Sequence, residues 1–438
     1  MPGTGIPRVP LGFTQPIMVE LCVPAETAAG NYSGTVRVVA GASGVLAVVP
    51  VRVEVWDMPA LPGLDSSEAF NTAFAFGAYR FGEWNTSFGR YYPNDAPESV
   101  WSQWFSMLAK HRIAADNMYL FKPRPIKEYE LLAKSAKHMA LFDVRVSGTG
   151  ELEESMQQIE TMLTPTIEKL TELGLINRTY IYGFDEMSQT HNRSVYEMFG
   201  QIKKRWPEIR TMAALDWKTM QSDVPVDIWI DEIADYGSSP DYRTPTPKER
   251  VRQRWLANPG KQFYWYWCIG PSDTRMLNTF VERPAIHGRM LFWLNALHAV
   301  DGMAYYSTDI WQNQCPDQRP CAPATRINGT ALTTFNPATW NENNNSTNGG
   351  GANGDGSFLY PGPDGPLATN RLVNIADGIE DYQLFRRLGW TDSISNADDL
   401  ITQVIANLTA WDDDPLVLER ARRQAARRIV AGQAAARA

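Results

Sequence analysis

One alternation narrows the fold more than anything else in this chain. Between the Pro/Gly linker "MPALPGLDSS" and the Asn-rich tract "NENNNSTNGGGANGDG", eight short apolar runs alternate with polar or helical stretches. The runs are "AFNTAFAFG", "ADNMYLF", "KHMALFDVRVSG", "RTYIYGFDE", "IRTMAAL", "PVDIWIDEI", "KQFYWYWC" and "GMAYYST". Several of the intervening segments have helical spacing. In "ESVWSQWFSMLAKHRIA", Val100, Trp104, Met107 and Leu108 fall on one face. "ELEESMQQIETMLTPTIEKLTELG", "SVYEMFGQIKKRW" and "RPAIHGRMLFWLNALHAV" also read as helices. Strands alternating with helices at this frequency predict an α/β fold, a (β/α)8 TIM-like barrel. A doubly wound open sheet is the runner-up. It is weakened because no G-x-G-x-x-G follows an early strand.

Around this core the pattern changes. Residues 1–58 contain Val-rich alternating runs punctuated by Gly and Pro, such as "GNYSGTVRVVA" and "VLAVVPVRVEVWDM". They predict part of a β-sandwich, incomplete because so few strands are present. Residues 59–390 are assigned to the barrel, with a long loop at 309–357. Residues 391–438 are assigned to a C-terminal helical segment, and helices are expected near 371–389, 397–410 and 415–432. With 44% hydrophobic residues over 438 positions, the chain can bury a large core.

Charge and motifs exclude several classes of function. The net charge of -8 argues against nucleic acid, which needs a basic face. The basic run "ERARRQAARRIV" has helical spacing and reads as a solvated helix face. No apolar run approaches the ~18 residues of a membrane span. The opening "MPGTGIPRVPLG" has neither the charged nor the apolar region of a signal peptide. Cys315 and Cys321 flank "PDQRP" and are expected to form a small disulfide in an oxidising compartment. That pair offers too few ligands for zinc, and neither metal nor cofactor is expected. Eight N-x-[ST] triplets begin at Asn31, Asn85, Asn177, Asn192, Asn328, Asn344, Asn345 and Asn407, where chance gives about three. They point to a secreted or lumenal glycoprotein, with a bacterial extracytoplasmic protein as the alternative.

Active sites of such barrels lie at the C-terminal ends of the strands. Those ends carry acids and aromatics: Asn117 and Tyr119, Asp185 and Glu186, Asp216 and Trp217, Trp229 with Asp231 and Glu232, Trp265 and Trp267, Tyr305 and Tyr306. Trp311 follows on the loop. Aromatic faces stack on sugars and carboxylates carry acid–base chemistry, so a glycan is the expected partner. Any single Trp is still more readily core than ligand contact, and Asp231–Glu232 also reads as an acid pair at a helix start.

Adjacent Asp185 and Glu186 constrain the mechanism. The two carboxylates of an ordinary retaining glycosidase stand ~5–5.5 Å apart across the bond. Neighbours on a regular strand point to opposite faces. The pair better suits a substrate whose own 2-acetamido group attacks the anomeric carbon. Glu186 would then protonate the leaving oxygen, and Asp185 would hold the acetamido N–H and offset the oxazolinium charge. Gly183 is the expected site of the bend that brings both carboxylates into one cleft.

The residues also carry a resemblance. "GDGSFLYPGPDGPLATNRLVNIADGIEDYQLFRRL" (354–388) resembles the C-terminal signature of glycoside hydrolase family 123 and its relatives, the domain of unknown function 4091 group. "YIYGFDE", "FYWYWCIGP", "RPAIHGRMLFWLNALHAVDGMAYY" and "VPAETAAGNYSGTVRV" are similar to that family's catalytic strand end, seventh and eighth strand regions and leading β-sandwich. The resemblance implies an exo-acting, retaining β-N-acetylgalactosaminidase. Glu186 would be its general acid/base and Asp185 the group that orients the acetamido. It further implies an aromatic pocket and a Tyr hydroxyl near the acetamido, assigned to Trp265, Trp267 and Tyr305. Arg371 is read as locking the C-terminal helix to the barrel. The alternatives are a β-N-acetylglucosaminidase or other glycosidase, and a non-catalytic carbohydrate-binding protein.

Overall fold

The computed structural model describes residues 12, 14, 17–24, 26–39, 44–64, 66, 68–76, 98–146, 151–186, 192–216, 223–236, 247–271, 274–309, 326–327, 330–331, 354–362, 365–391 and 394–437. They fall into two compact units: residues 1–60 with 430–438, and residues 61–429.

In the first unit, β1 (Gly30–Val39) and β2 (Val45–Val55) pair antiparallel, Gly30 opposite Val55. They form a two-stranded sheet, and residues 17–24 add no strand to it. The expected β-sandwich is therefore not what the described residues form. Val39, Val45, Leu46, Val48 and Val49 stay exposed, because two strands have no second layer to bury them.

The second unit is built on a parallel sheet of seven strands, in the order β3-β9-β8-β7-β6-β5-β4. The strands are β3 (Asn71–Phe74), β4 (Met139–Val144), β5 (Thr179–Gly183), β6 (Arg210–Ala214), β7 (Ile228–Glu232), β8 (Gln262–Tyr266) and β9 (Gly302–Tyr305). Seven of the eight expected strands are thus present, curled into a half-barrel rather than a complete barrel among the described residues. The exception is the second run. Its residues make one parallel bridge, Ala75 to Asp116, and otherwise follow an irregular path. The reason is chemical. The Asp116 carboxylate accepts from the Ala140 amide of β4 (3.0 Å), the Tyr180 hydroxyl of β5 (2.7 Å) and the Arg124 guanidinium (2.6 Å). Its own carbonyl accepts from Phe76 N at 2.7 Å. A side chain does here what a strand's ladder of carbonyls would do.

Inside the curl lies a layer of alternate strand residues: Ala73, Ala140, Tyr180, Tyr182, Met212, Ala214, Ile228, Ile230, Tyr264 and Ala304, packed with Met118 and Leu120. The other parity faces outward and is also buried, which is why these strands read as continuous apolar runs. Trp265, for example, lies against His298 with ring centres 5.1 Å apart.

Nine helices occur among the described residues: α1 (Glu98–Lys110), α2 (Ile126–Leu132), α3 (Met156–Glu172), α4 (Asn192–Arg205), α5 (Lys248–Leu256), α6 (His287–His298), α7 (Asn370–Arg387), α8 (Asp398–Ile401) and α9 (Pro415–Arg437). α3 shows how the sequence sets an element. Ser155 caps it, its hydroxyl accepting from Gln158 N while the Gln158 side chain accepts from Ser155 N. Ile159, Leu163, Ile167 and Leu170 then recur at helical spacing and are buried. The helix expected at 397–410 stops after one turn. Ile405–Asn407 and Ala410–Trp411 pair as a small hairpin, because the Asn407 side chain accepts from Thr409 N at 2.9 Å and closes a turn. The two ends of the loop at 309–357 meet, with Asp309 bridged to Ser357. The Asn-rich tract up to residue 353 and the Cys315–Cys321 pair lie outside the described residues.

Candidate active site

Tyr180 and Tyr182 point into the curl at alternate positions of β5, and the chain then leaves the strand abruptly. Phe184 has φ +62° and Glu186 has φ +49°, a left-handed conformation that side chains seldom adopt. Phe184 turns out of the curl and packs edge-on against Phe199 of α4, with ring centres 5.1 Å apart. The two residues around it are thereby freed from strand alternation. Asp185 Oδ1 accepts from the Tyr182 hydroxyl at 2.5 Å, and Glu186 Oε1 accepts from the Tyr266 hydroxyl. Both tyrosines belong to the inner layer, so both carboxylates reach the same end of the curl. The expected bend exists, but Gly183 does not make it. Gly183 instead lets β5 lie close to β4: a Cβ there would meet Val144 O at 2.8 Å.

The Glu186–Tyr266 bond reaches from the end of β5 to the end of β8, past β6 and β7 in the sheet order. Other polar groups converge on the same place. The Tyr119 phenol, raised well above its usual range chiefly by burial, is also under the charges of Asp185, Asp143 and Glu186 and the Cys268 thiol. Asp143 stands beside Tyr182 in the β4–β5 register. Burial first, and Asp185 second, push its carboxyl up to about 8. Asp185 is open to solvent at the cleft mouth, yet the surrounding protein holds its carboxyl up to about 6. The Tyr182 hydrogen bond opposes that rise and the neighbouring Glu186 adds to it. On the β8 side, burial lifts the Cys268 thiol to about 12, with Asp355, Glu232 and Glu186 adding to the effect.

Of the rival pair, one acid belongs to this cleft. Glu232 continues the inward parity of Ile228 and Ile230 and packs on Gly270, where a Cβ would meet Glu232 Oε1 at 1.9 Å. Asp231 has the opposite parity, is 5% exposed and accepts from Glu232 N at 2.9 Å.

Among the described residues the expected aromatic platform is not assembled. Trp265 and Trp267 are both 0% exposed, leaving no face for a sugar to stack on. Strand parity sends Trp265 to the helical side, and Trp267 is enclosed by Phe74 and Tyr305, with its Nε1 donating to Thr279 Oγ1 at 2.7 Å. Tyr305 is buried likewise, and its hydroxyl goes to Asp355 at 2.8 Å. Asn117 is buried, its Oδ1 accepting from Tyr119 N at 3.0 Å. Trp217 and Trp311 lie outside the described residues. The groups that do gather about the two acids, Tyr119, Tyr182, Tyr266, Asp143 and Glu232, share one signal: inward parity or a place next to a strand end. In "FYWYW" that signal is unreadable until one residue's direction is known, because Tyr and Trp alternate and either could face in.

The arrangement offers an exposed carboxylate next to a second one with a raised pKa, among phenol donors and further acids. That suits acid–base chemistry on a polyhydroxylated, uncharged substrate. In the second unit Arg371 pins the turn at 354–357, donating to Gly354 O at 2.6 Å and to Ser357 O. From α7 it also donates to Thr279 O at 3.1 Å, so it ties the helix to the segment after β8, as expected of it, and holds the loop as well.

Comparison with known proteins agrees. No curated protein matches the sequence. A solved structure of a family 123 glycoside hydrolase from Clostridium perfringens, analysed for glycolipid glycan hydrolysis, shares the fold. Its TM-score is 0.60 at 16% identity, covering 94% of this chain and 78% of that one. Residues 99–388 match the family described as glycoside hydrolase 123, catalytic domain. That stretch contains the bent strand end with Asp185 and Glu186, and the chain belongs to glycoside hydrolase family 123.

Proposed function

We propose that this glycosidase removes terminal β-linked N-acetylgalactosamine from glycans or glycolipids, acting from the chain end with retention of configuration. The substrate's 2-acetamido oxygen serves as nucleophile and forms an oxazolinium intermediate. Glu186 protonates the departing oxygen and then activates the incoming water. Asp185 accepts the acetamido N–H and offsets the positive charge that develops on the ring. The observation that carries this reading is the left-handed backbone at Phe184 and Glu186, which delivers two adjacent carboxylates to one cleft. Adjacent groups reach neighbouring substrate atoms, such as the glycosidic oxygen and the 2-acetamido group, more readily than opposite faces of one bond. Asp143 is a poor rival nucleophile, because a carboxyl held up to about 8 is mostly protonated at neutral pH.

Secretion or a lumenal location is part of the proposal, supported by the excess of glycosylation triplets. Asn31 and Asn177 are exposed and open to modification. Among the described residues no helix is long and apolar enough to cross a membrane.

The deciding experiment compares hydrolysis of an aryl β-N-acetylgalactosaminide with its glucosaminide epimer, beside a thiazoline derived from N-acetylgalactosamine as inhibitor. Faster galactosaminide cleavage with thiazoline inhibition is expected. Faster glucosaminide cleavage would change the sugar, and cleavage without thiazoline inhibition would remove the acetamido mechanism.

A further inference from the structure

β4 carries one irregularity, and it turns an acid into the cleft. Its pairing with β5 sets Ala140 opposite Tyr180, Phe142 opposite Ile181 and Asp143 opposite Tyr182, so Leu141 is an extra residue on the β4 side. Strict alternation from the inward Ala140 would turn Phe142 inward and Asp143 out toward the helices. The bulge at Leu141 reverses that. Asp143 takes the inward parity of its partner Tyr182, and Phe142 takes the outward parity of Ile181. Tyr182 is the residue whose hydroxyl donates to Asp185. Asp143 is thus joined to the two-acid site by backbone pairing with the residue that holds Asp185.

A second polar group shares this wall. Leu120 O accepts from Asp143 N at 2.8 Å, and the preceding Tyr119 packs its ring edge-on against Tyr182, with ring centres 5.6 Å apart. Among the described residues neither the Asp143 carboxyl nor the Tyr119 hydroxyl has a hydrogen-bond partner. By contrast Tyr180, one inward position back on β5, gives its hydroxyl to Asp116 at 2.7 Å. Asp143 is only 8% exposed, and burying a polar group without a partner costs stability. The fold makes no use of these two groups, which points to a ligand that does.

Position along the cleft supplies the ligand atom. Glu186 is held from β8 by Tyr266, and Asp185 from β5 by Tyr182. Asp143 stands on β4, next to β5 on the side away from β8. On the proposed function, on which this step rests, C1 of the terminal sugar lies at Glu186 and C2 with its acetamido at Asp185. The ring atom that continues from C1 through C2 is C3. We propose that Asp143 and Tyr119 together bind the C3 hydroxyl of the terminal N-acetylhexosamine. Held up to about 8, the Asp143 carboxyl is mostly protonated at neutral pH, so it offers that hydroxyl both a donor and an acceptor. The same burial leaves no room for a substituent on O3, so the terminal sugar must carry its C3 hydroxyl free.

The test measures kcat/KM for an aryl β-N-acetylgalactosaminide and its 3-deoxy, 4-deoxy and 3-O-methyl derivatives, with wild type, Asp143→Ala, Asp143→Asn and Tyr119→Phe. Wild type should lose about 10- to 100-fold on the 3-deoxy sugar and should not cleave the 3-O-methyl sugar. Asp143→Ala should lose a similar factor on the parent and almost nothing more on the 3-deoxy sugar, because the two changes remove one interaction. Asp143→Asn, whose amide offers a donor and an acceptor, should restore most of what Asp143→Ala loses. Tyr119→Phe should lose about 3- to 10-fold on the parent and little on the 3-deoxy sugar. Equal losses for Asp143→Ala on parent and 3-deoxy sugar would reduce Asp143 to a structural role. If the 4-deoxy sugar cancels the loss instead, the C3 assignment is wrong. Wild-type indifference to the 3-deoxy or 3-O-methyl change overturns the assignment without any variant, even one that fails to fold. Wild-type inactivity on the parent is a separate outcome: the underlying functional reading falls, and this assignment with it.

Discussion

Tyr182 and Tyr266 each give a hydroxyl to one of two adjacent acids, and the consequences are separable by kinetics. Partial desolvation by the protein around it raises the Asp185 carboxyl and the Tyr182 hydrogen bond pulls it back, leaving it at about 6. Asp185 must be ionised to offset an oxazolinium charge. Its protonated form accumulates below its pKa, so kcat/KM should fall as pH drops through about 6. Tyr182→Phe removes the stabilising donor, and that acid limb should move up by about one pH unit, the ~1.4 kcal/mol of one charge-assisted hydrogen bond. A pH–rate profile with the limb unmoved would show that another group sets it. Glu186→Gln should cost about 10²- to 10⁴-fold on substrates with poor leaving groups and much less on activated aryl glycosides. Equal losses on both substrate classes would argue against an acid at Glu186.

At the scale of the element, β5 has to do two things in five residues: pack tightly on β4 and then release its chain toward the cleft. Gly183 meets the first demand, with Val144 O 2.8 Å from where a Cβ would stand. Gly183→Ala should therefore push β5 off β4, destabilise the fold by about 1–3 kcal/mol and lower kcat more than it raises KM. Urea denaturation together with steady-state kinetics would measure both. An unchanged midpoint with unchanged kcat would mean the strand spacing does not position the acids. The bend itself was half legible. Two adjacent acids at a strand end demand a break in alternation, but nothing in "YGFDE" shows that Phe184 adopts the left-handed conformation instead of the glycine. What stabilises it there is a contact with Phe199, a residue of the following helix.

Across the whole second unit, Asp381 of α7 joins helices that are distant in sequence. It is 0% exposed and accepts from Arg289 Nε (2.6 Å) and Trp293 Nε1 (2.9 Å) of α6, and from Arg422 Nε (2.6 Å) of α9. Burial alone would raise its carboxyl, but Arg289 and Arg422 outweigh burial and hold it below the usual range. Because the folded pKa lies below the unfolded one, its stabilising contribution is present above about pH 4 and is lost as pH falls through the folded value. Asp381→Ala should cost about 3–5 kcal/mol near neutral pH, since two arginines are left without their buried partner. The deficit relative to wild type should shrink under acid. Thermal or urea denaturation at neutral and acid pH would check this, and a pH-independent deficit would show that packing, not charge, makes the difference.

Strand-and-helix alternation, seven strand positions and the pair at 185–186 are local properties, and the sequence by itself determined them. Periodicity and turn chemistry act over a few residues and need no partner. The tertiary structure alone decided other things. It set which parity of each strand faces inward, moving the cleft from Trp265 and Trp267 to Tyr182 and Tyr266. It replaced the second strand with an Asp116 hub, because that side chain met hydrogen bonds whose other halves come from β4 and β5, while its carbonyl met the Phe76 amide just after β3. And it brought Asp355 to the end of β9, 50 residues back in the chain, through the Tyr305 hydroxyl. Each of these depends on groups far apart in the chain, whose meeting is a property of the fold.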